Sequence, residues 1–522
     1  MRQSYRPSYH ASVRAGWSND PNGTIFFNGK AHLFYQHYPY KAEWGTMHWG
    51  HWATADFVHW EELPLTLAPD QAYEVLCGCC SGSTIEKDGK LYLMYTAAQP
   101  DLQRQCMAVS EDGVQFAKDP GNPILTADML HEEVSRMDFR DPRMFRKDGW
   151  YYFIAGARIL DPKKTAASDS SGASTVSGAV PSSAAVSSPS AGSLSGDVSG
   201  DDPKKKGYGN LILARSRDLY HWEYVGKLLY PQSEFSEEYY RLNGVYECPD
   251  YFTDTDSGAE VLLSSPQNLP RMGNLYQNIH SSVYMLGKLN FETGRFDVDT
   301  IGEIDSGFDF YAAQTLRMPD GRVILIAWKE MWDRDFPTRP EGWAGTYTLP
   351  REIHVEGDRL IQQPVREIEA CRKNRVFHEG VSVDGQSLSL PGISGNTIEL
   401  RFTLEPGTAK RAGVKLFRGS EHETLLYYDR ETGTLVFDRA RAGVEIGGRE
   451  KELTRRFLDV GQPEKIDVRL FLDVCSLEVF IDGGKHTMTG NVYPDPEDTG
   501  VEFFSDGGTC AFRNIEKYDI VA

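Results

Sequence analysis

Three short segments each set a carboxylic acid beside a proline and an aromatic or basic neighbour. They are Trp17-Ser18-Asn19-Asp20-Pro21-Asn22-Gly23, Phe139-Arg140-Asp141-Pro142-Arg143 and Tyr246-Glu247-Cys248-Pro249-Asp250. Proline fixes its own φ, cannot donate to a sheet ladder and keeps the preceding residue extended, so each acid is held on stiff backbone. Rigid carboxyls facing one ligand suit a particular chemistry. One attacks a carbon or activates water, and the other protonates the departing oxygen, the division of labour that cleaves a glycosidic bond. A lone Asp-Pro is ordinarily a turn. Three such segments at matching places in a repeat exceed what turns require.

The repeat that would position them starts with glycine. Gly29, Gly89 and Gly149 each open a short apolar strand (GKAHLFYQH, GKLYLMYTA, GWYYFIAGA), and Gly258 and Gly321 open two more (GAEVLLSSP, GRVILIAWK). A polar turn travels with it: Thr54-Ala55-Asp56 leads to Trp60, Ser110-Glu111-Asp112 to Phe116 and Ser216-Arg217-Asp218 to Trp222. Alternating strands with turn signals at a spacing of about 60 residues read as repeated four-stranded antiparallel sheets. Five units predict an all-β fold, a five-bladed β-propeller over residues 1–350, whose inner strands converge on one axis. The Ser/Ala/Gly-rich stretch 164–206 reads as a disordered insertion in the third unit. Residues 351–373 read as a linker with one short helix around Gln363–Arg372. From 374 to 522 longer alternating strands predict a β-sandwich. That second domain shows no cluster of acids and histidine, so it is expected to pack against the propeller and to carry any self-association of the chain.

Composition narrows the partners. A formal charge of -20 repels phosphate backbones and anionic lipid, which argues against nucleic acid and membrane surfaces. Neither a signal-peptide h-region nor an 18-residue apolar run occurs, so a cytoplasmic location is expected. The eight cysteines, with Cys77, Cys79 and Cys80 close together, lack zinc partners at the usual spacing and read as free thiols. His48, His51 and His59 sit among Trp49, Trp52 and Trp60 and read as packed, hydrogen-bonded rings rather than metal ligands. No cofactor and no metal is expected.

The three motifs together resemble glycoside hydrolase family 32, the invertases, sucrose-6-phosphate hydrolases, inulinases and levanases. The likeness extends through FYQHYPYKAEWGTMHWGHWATADFVHWEELPLTLAPD (34–70), GFDFYAAQT (307–315) and GWAGTYTLPRE (342–352). The resemblance implies a retaining hydrolase that releases terminal β-fructofuranosyl units from sucrose and short fructo-oligosaccharides. Asp20 would be the nucleophile, Glu247 the general acid/base, and Asp141 a ligand for fructosyl hydroxyls. Asn19, Gln36, Trp44, Ser81 and Arg140 would surround the substrate. In a retaining enzyme the Asp20 and Glu247 carboxyls should lie about 5–5.5 Å apart. Sucrose-6-phosphate hydrolysis, fructosyl transfer and a non-catalytic sugar-binding propeller remain alternatives. A phosphate would need a cation at the leaving-group side, for which Lys41, Arg271 and Lys329 are candidates. The chain departs from the family at Ser18, Cys80, Ala313 and Ala327-Trp328-Lys329. Cys80 removes an aromatic surface beside the pocket and leaves leaving-group preference open.

Overall fold

Asn28-Gly29, Asp88-Gly89 and Asp148-Gly149 all have both residues at positive φ. This is the two-residue turn whose twist matches that of a hairpin, and it accounts for the glycine period. The travelling polar turns are equally regular. Thr54 Oγ1 and Asp56 Oδ1 together accept the amides of Asp56, Phe57, Val58 and His59. Ser110 with Asp112, and Ser216 with Asp218, repeat the arrangement. Side-chain oxygens satisfy a tight loop that lies outside the ladders.

A computed structural model describes residues 5–99, 102–160, 207–232 and 235–522. Among them the fold is nearly all β. Five antiparallel sheets follow in chain order, opening with the strands Gly16–Phe27, Cys79–Lys87, Val134–Lys147, Tyr246–Thr253 and Tyr311–Arg317. These five first strands touch in cyclic order, with the fifth against the first. A short strand, Trp343–Ala344, pairs parallel with the opening of Gly16–Phe27. The insertion read at 164–206 lies outside the described residues, between the strands Trp150–Leu160 and Gly207–Ser216. No described helix is long and apolar enough to cross a membrane.

The expected linker is corrected. Arg351–Glu356 and Arg359–Pro364 are strands that complete the fifth sheet, pairing with Val323–Trp328 and with each other. The Gly321 hairpin supplies only the two inner strands, and a sheet ended there would expose unpaired backbone. The first five-sheet unit therefore runs to Pro364 rather than to residue 350. A 3₁₀ turn, Arg366–Cys371, follows it.

Beyond it, two six-stranded sheets pack face to face. Leu400, Leu470 and Val479 from one sheet meet Val414, Phe437 and Phe503 from the other in a single apolar core. Between this sandwich and the first unit the contact is unusually polar. The Arg351 guanidinium is wholly buried, with Asp305 at 3.1 Å, Glu478 at 2.8 Å and Thr489 Oγ1 at 2.7 Å. The His10 ring lies between Asp473 at 2.8 Å and Glu478 at 2.9 Å. Removing one member of a buried ion cluster strands the others away from water. Arg351→Ala is expected to lose about 3–5 kcal/mol of stability, read by urea titration. A loss under about 1 kcal/mol would show that the remaining partners compensate.

Candidate active site

All five first strands break register: at Ser18/Pro21, around Asp20, and again at Asn22/Ile25 in the first, then at Cys80/Gly82, Arg140/Arg143, Glu247/Asp250 and Tyr311/Gln314. Within these breaks Gly23, Asp141, Cys248 and Ala312 take positive φ, Asp141 at 60°. An extra residue in a strand bends it and re-aims its side chains. Each repeat thus turns one or two side chains out of its ladder toward the neighbouring first strands. Pro142 and Pro249 sit where the ladder has lapsed and no amide donor is needed, and Pro21 stands where pairing resumes opposite Tyr35.

The re-aimed groups meet. Ser81 Oγ donates to Asp20 Oδ2 at 2.6 Å, and the Cys248 amide donates to Asp141 Oδ2 at 3.0 Å. The Cys248 thiol lies 3.5 Å from Asp20 Oδ2 and 3.8 Å from Asp141 Oδ2, so two carboxylates from different sheets share one sulfur. The preceding residue, Glu247, has Oε1 3.1 Å from the Arg140 guanidinium and Oε2 2.7 Å from the Tyr311 hydroxyl. Arg140 also holds Asp138 at 2.8 Å, and Asp138 holds Arg158 at 2.8 Å. The Asp141 amide donates to Thr96 Oγ1 at 3.0 Å.

Charge crowding sets the electrostatics. Burial pushes the Asp20 carboxyl up, the Ser81 hydrogen bond opposes it, and the Glu247 charge adds to the rise. Burial pushes Asp141 up to about 7, with the negative charge of Glu247 next and Arg140 pulling the other way. A carboxyl pKa that is higher folded than unfolded means that the native state binds more protons. Stability then falls as pH rises from about 4 to about 7. Asp141→Asn removes that burden. Its unfolding midpoint is expected to match wild type at pH about 4 and to exceed it increasingly toward pH 7, while kcat/KM falls. A variant less stable than wild type at pH about 8 would contradict the charge-crowding account.

Tyr311 serves two states of its neighbour. Its hydroxyl lies 2.7 Å from Glu247 Oε2 and 3.0 Å from the Ser265 carbonyl, yet a phenol has one proton. When Oε2 carries a proton it can donate to Tyr311 while the phenol donates to Ser265. When Glu247 is ionised, Arg140 supports Oε1. The carboxyl can therefore give and take a proton without losing its partners.

The residues singled out from the sequence are all placed by this cluster, though not all equally near it. Asn19 is buried and accepts the Trp17 indole N–H at 2.8 Å. Gln36, on the second strand of the first sheet, is buried with its amide on the Cys79 carbonyl at 3.0 Å, two residues before Ser81 in the neighbouring sheet. Trp44 is half-buried against the apolar group that contains Cys248 and Tyr311. Of the histidines, His51 bonds His32 at 2.9 Å in the core, His48 bonds the Thr46 carbonyl and exposed His59 pairs with Asp56. Among the described residues one group has metal-ligating spacing, His422 with Asp495 and Asp498. It lies in the sandwich, where His422 already bonds Asp498 at 3.0 Å.

Residues 10–168 and 200–364 match the N-terminal domain of the glycosyl hydrolases family 32, and residues 367–519 match the C-terminal domain of that family. The chain belongs to glycosyl hydrolases family 32. The family 32 chain is 33% identical to a sucrose-6-phosphate hydrolase from Zymomonas mobilis over 100% of its own length and 93% of that protein. It is 30% identical to a raffinose invertase from Escherichia coli over 97% of its length and 93% of that protein. Among solved structures it resembles a β-fructofuranosidase variant from Bombyx mori in complex with sucrose. That likeness has 29% identity and a TM-score of 0.75 over 100% of this chain and 95% of that one. Sequence reasoning gave no role to Tyr311, Cys248, Thr96 or Asp138 in this family 32 site. The repeat itself held a signal for Tyr311, which occupies in the fifth first strand the place that Glu247 occupies in the fourth.

Proposed function

We propose that the chain cleaves terminal β-fructofuranosyl units from sucrose and short fructo-oligosaccharides with retention, through a covalent fructosyl-enzyme. It is a β-fructofuranosidase-type hydrolase of family 32. The observation that carries the catalytic reading is the meeting of Asp20, Asp141 and Glu247 from three separate sheets around Cys248. Asp20, held by Ser81, is the nucleophile. Glu247 protonates the glycosidic oxygen and then takes a proton from the incoming water, with Arg140 and Tyr311 matching each state. Asp141, anchored by two backbone contacts, binds fructosyl hydroxyls and stabilises the positive charge that develops on the ring. The cyclic contact of the five first strands supports a five-bladed propeller with this cluster at its axis.

Sucrose-6-phosphate is the second reading, favoured by the name of the Zymomonas mobilis relative. The three cations considered for a phosphate give it little help. Lys329 is fully buried with Nζ on Ser476 Oγ at 2.7 Å, Lys41 pairs with Glu43 at 3.2 Å, and the exposed Arg271 donates to Gly273. A panel of sucrose, its 6-phosphate, kestose, inulin and levan ranks the readings by kcat/KM. Sucrose is expected to be cleaved at least as well as its 6-phosphate, with β-fructofuranose as the first anomer seen by NMR. A strong preference for the phosphate would exchange the two readings, and initial α-anomer would end the retaining mechanism.

A further inference from the structure

The segment Cys77-Gly78-Cys79-Cys80 sends its sulfurs two ways. Cys79 is fully buried beside Trp49, Tyr95 and Cys106. Cys77 and Cys80 are both half-buried, neither is in a disulfide, and their side chains face each other closely enough to interact. The turn between them is pinned. The Cys77 carbonyl accepts the Met47 amide at 2.8 Å, and the Cys79 amide donates back to Met47 at 2.9 Å. Gly78 has φ 86°, and a Cβ there would lie 2.3 Å from the Met47 carbonyl oxygen. The pair is therefore preorganised on fixed backbone rather than brought together by chance rotamers.

Its place is consequential. Cys80 pairs across the sheet with Thr96, whose hydroxyl accepts the Asp141 amide. The next residue after Cys80 is Ser81, whose hydroxyl donates to Asp20 at 2.6 Å. The strand breaks register immediately beyond, between Cys80 and Gly82, so the Ser81 position rests on local geometry rather than on a continuous ladder.

We propose that Cys77 and Cys80 form a modification site for hydroperoxides, closing to a disulfide that draws Ser81 away from Asp20. In the first step the Cys77 sulfur attacks the peroxide, the O–O bond breaks, a sulfenic acid forms on Cys77 and one alcohol or water leaves. In the second step the Cys80 sulfur attacks the sulfenic sulfur, an S–S bond forms and water departs. Two thiols lose two electrons and two protons, and the peroxide takes up both. The contact with Cys77, burial and the nearby Asp141 charge push the Cys80 thiol up, which disfavours it as the first attacking sulfur.

The test uses the full chain. Hydrogen peroxide should make it two hydrogens lighter, with peptide mapping after alkylation joining residues 77 and 80. The activity arm rests on the hydrolase reading, whereas the mass arm does not, so the two fail separately. Oxidised wild type should lose about ten-fold in kcat, as expected for loss of one hydrogen bond to a charged group, and dithiothreitol should restore it. Cys77→Ser should keep its untreated activity, form no cross-link and survive peroxide. Both thiols remaining open to alkylation after treatment would overturn the site, as would equal inactivation of Cys77→Ser. A cross-link with unchanged kcat would overturn the link to Ser81.

Discussion

Asp20→Ala is expected to lower kcat on sucrose by about 10⁴-fold or more, with the protein still folded. No other group can take over. Asp141 is turned toward the Cys248 amide by a left-handed backbone, and Glu247 is held between Arg140 and Tyr311. Folding should survive because the carboxyl is itself a burden: burial and the Glu247 charge both push its pKa up. The measurement pairs a sugar-release assay with thermal melting. Residual activity above about 1% of wild type in a well-folded variant would remove Asp20 from the role of nucleophile.

Glu247→Gln should cost about 10²–10⁴-fold in kcat on sucrose, the usual worth of general acid–base catalysis. Its diagnostic is the leaving group. Fructosyl fluoride departs without a proton, so formation of the covalent intermediate from it should suffer much less than from sucrose. The amide keeps the size of the carboxyl and can still meet Tyr311, so a fall in activity cannot be laid to a collapsed pocket. Equal losses on both substrates would mean that Glu247 positions the sugar instead of protonating it.

The acids were legible because two local signals agreed: a proline that stiffens the backbone, and a position fixed by the Gly and Ser/Thr-x-Asp repeat. Those repeat residues act within a few residues of themselves, as the Asn28-Gly29 turn and the Thr54–Asp56 cap do. Partners from distant strands left no such trace. Tyr311 reaches Glu247 across 64 positions of chain, and Arg351 reaches Glu478 across 127. Arg351 opens a strand that alternates buried and more exposed positions, but it follows the last Gly-strand unit of the repeat, which is why 351–364 read as a linker. Lys329 looked available for a phosphate because nothing local shows that Ser476, in the other unit, buries it. Cys77 and Cys80 read as free thiols without a role for the opposite reason: their closeness is local, but the role proposed for it depends on Asp20 and Asp141 in other sheets.

The parallel pairing of Trp343–Ala344 with Gly16–Trp17 has a consequence for biosynthesis. A ribosome delivers the segment that carries the nucleophile hundreds of residues before the one that seals it in place. Until that late piece has emerged, the early strand lacks its neighbour and the acids lack a common centre. Catalytic competence should thus wait until about two thirds of the chain has emerged, and a chain truncated before Trp343 should be a poor hydrolase even when most of the first unit's sheets have formed.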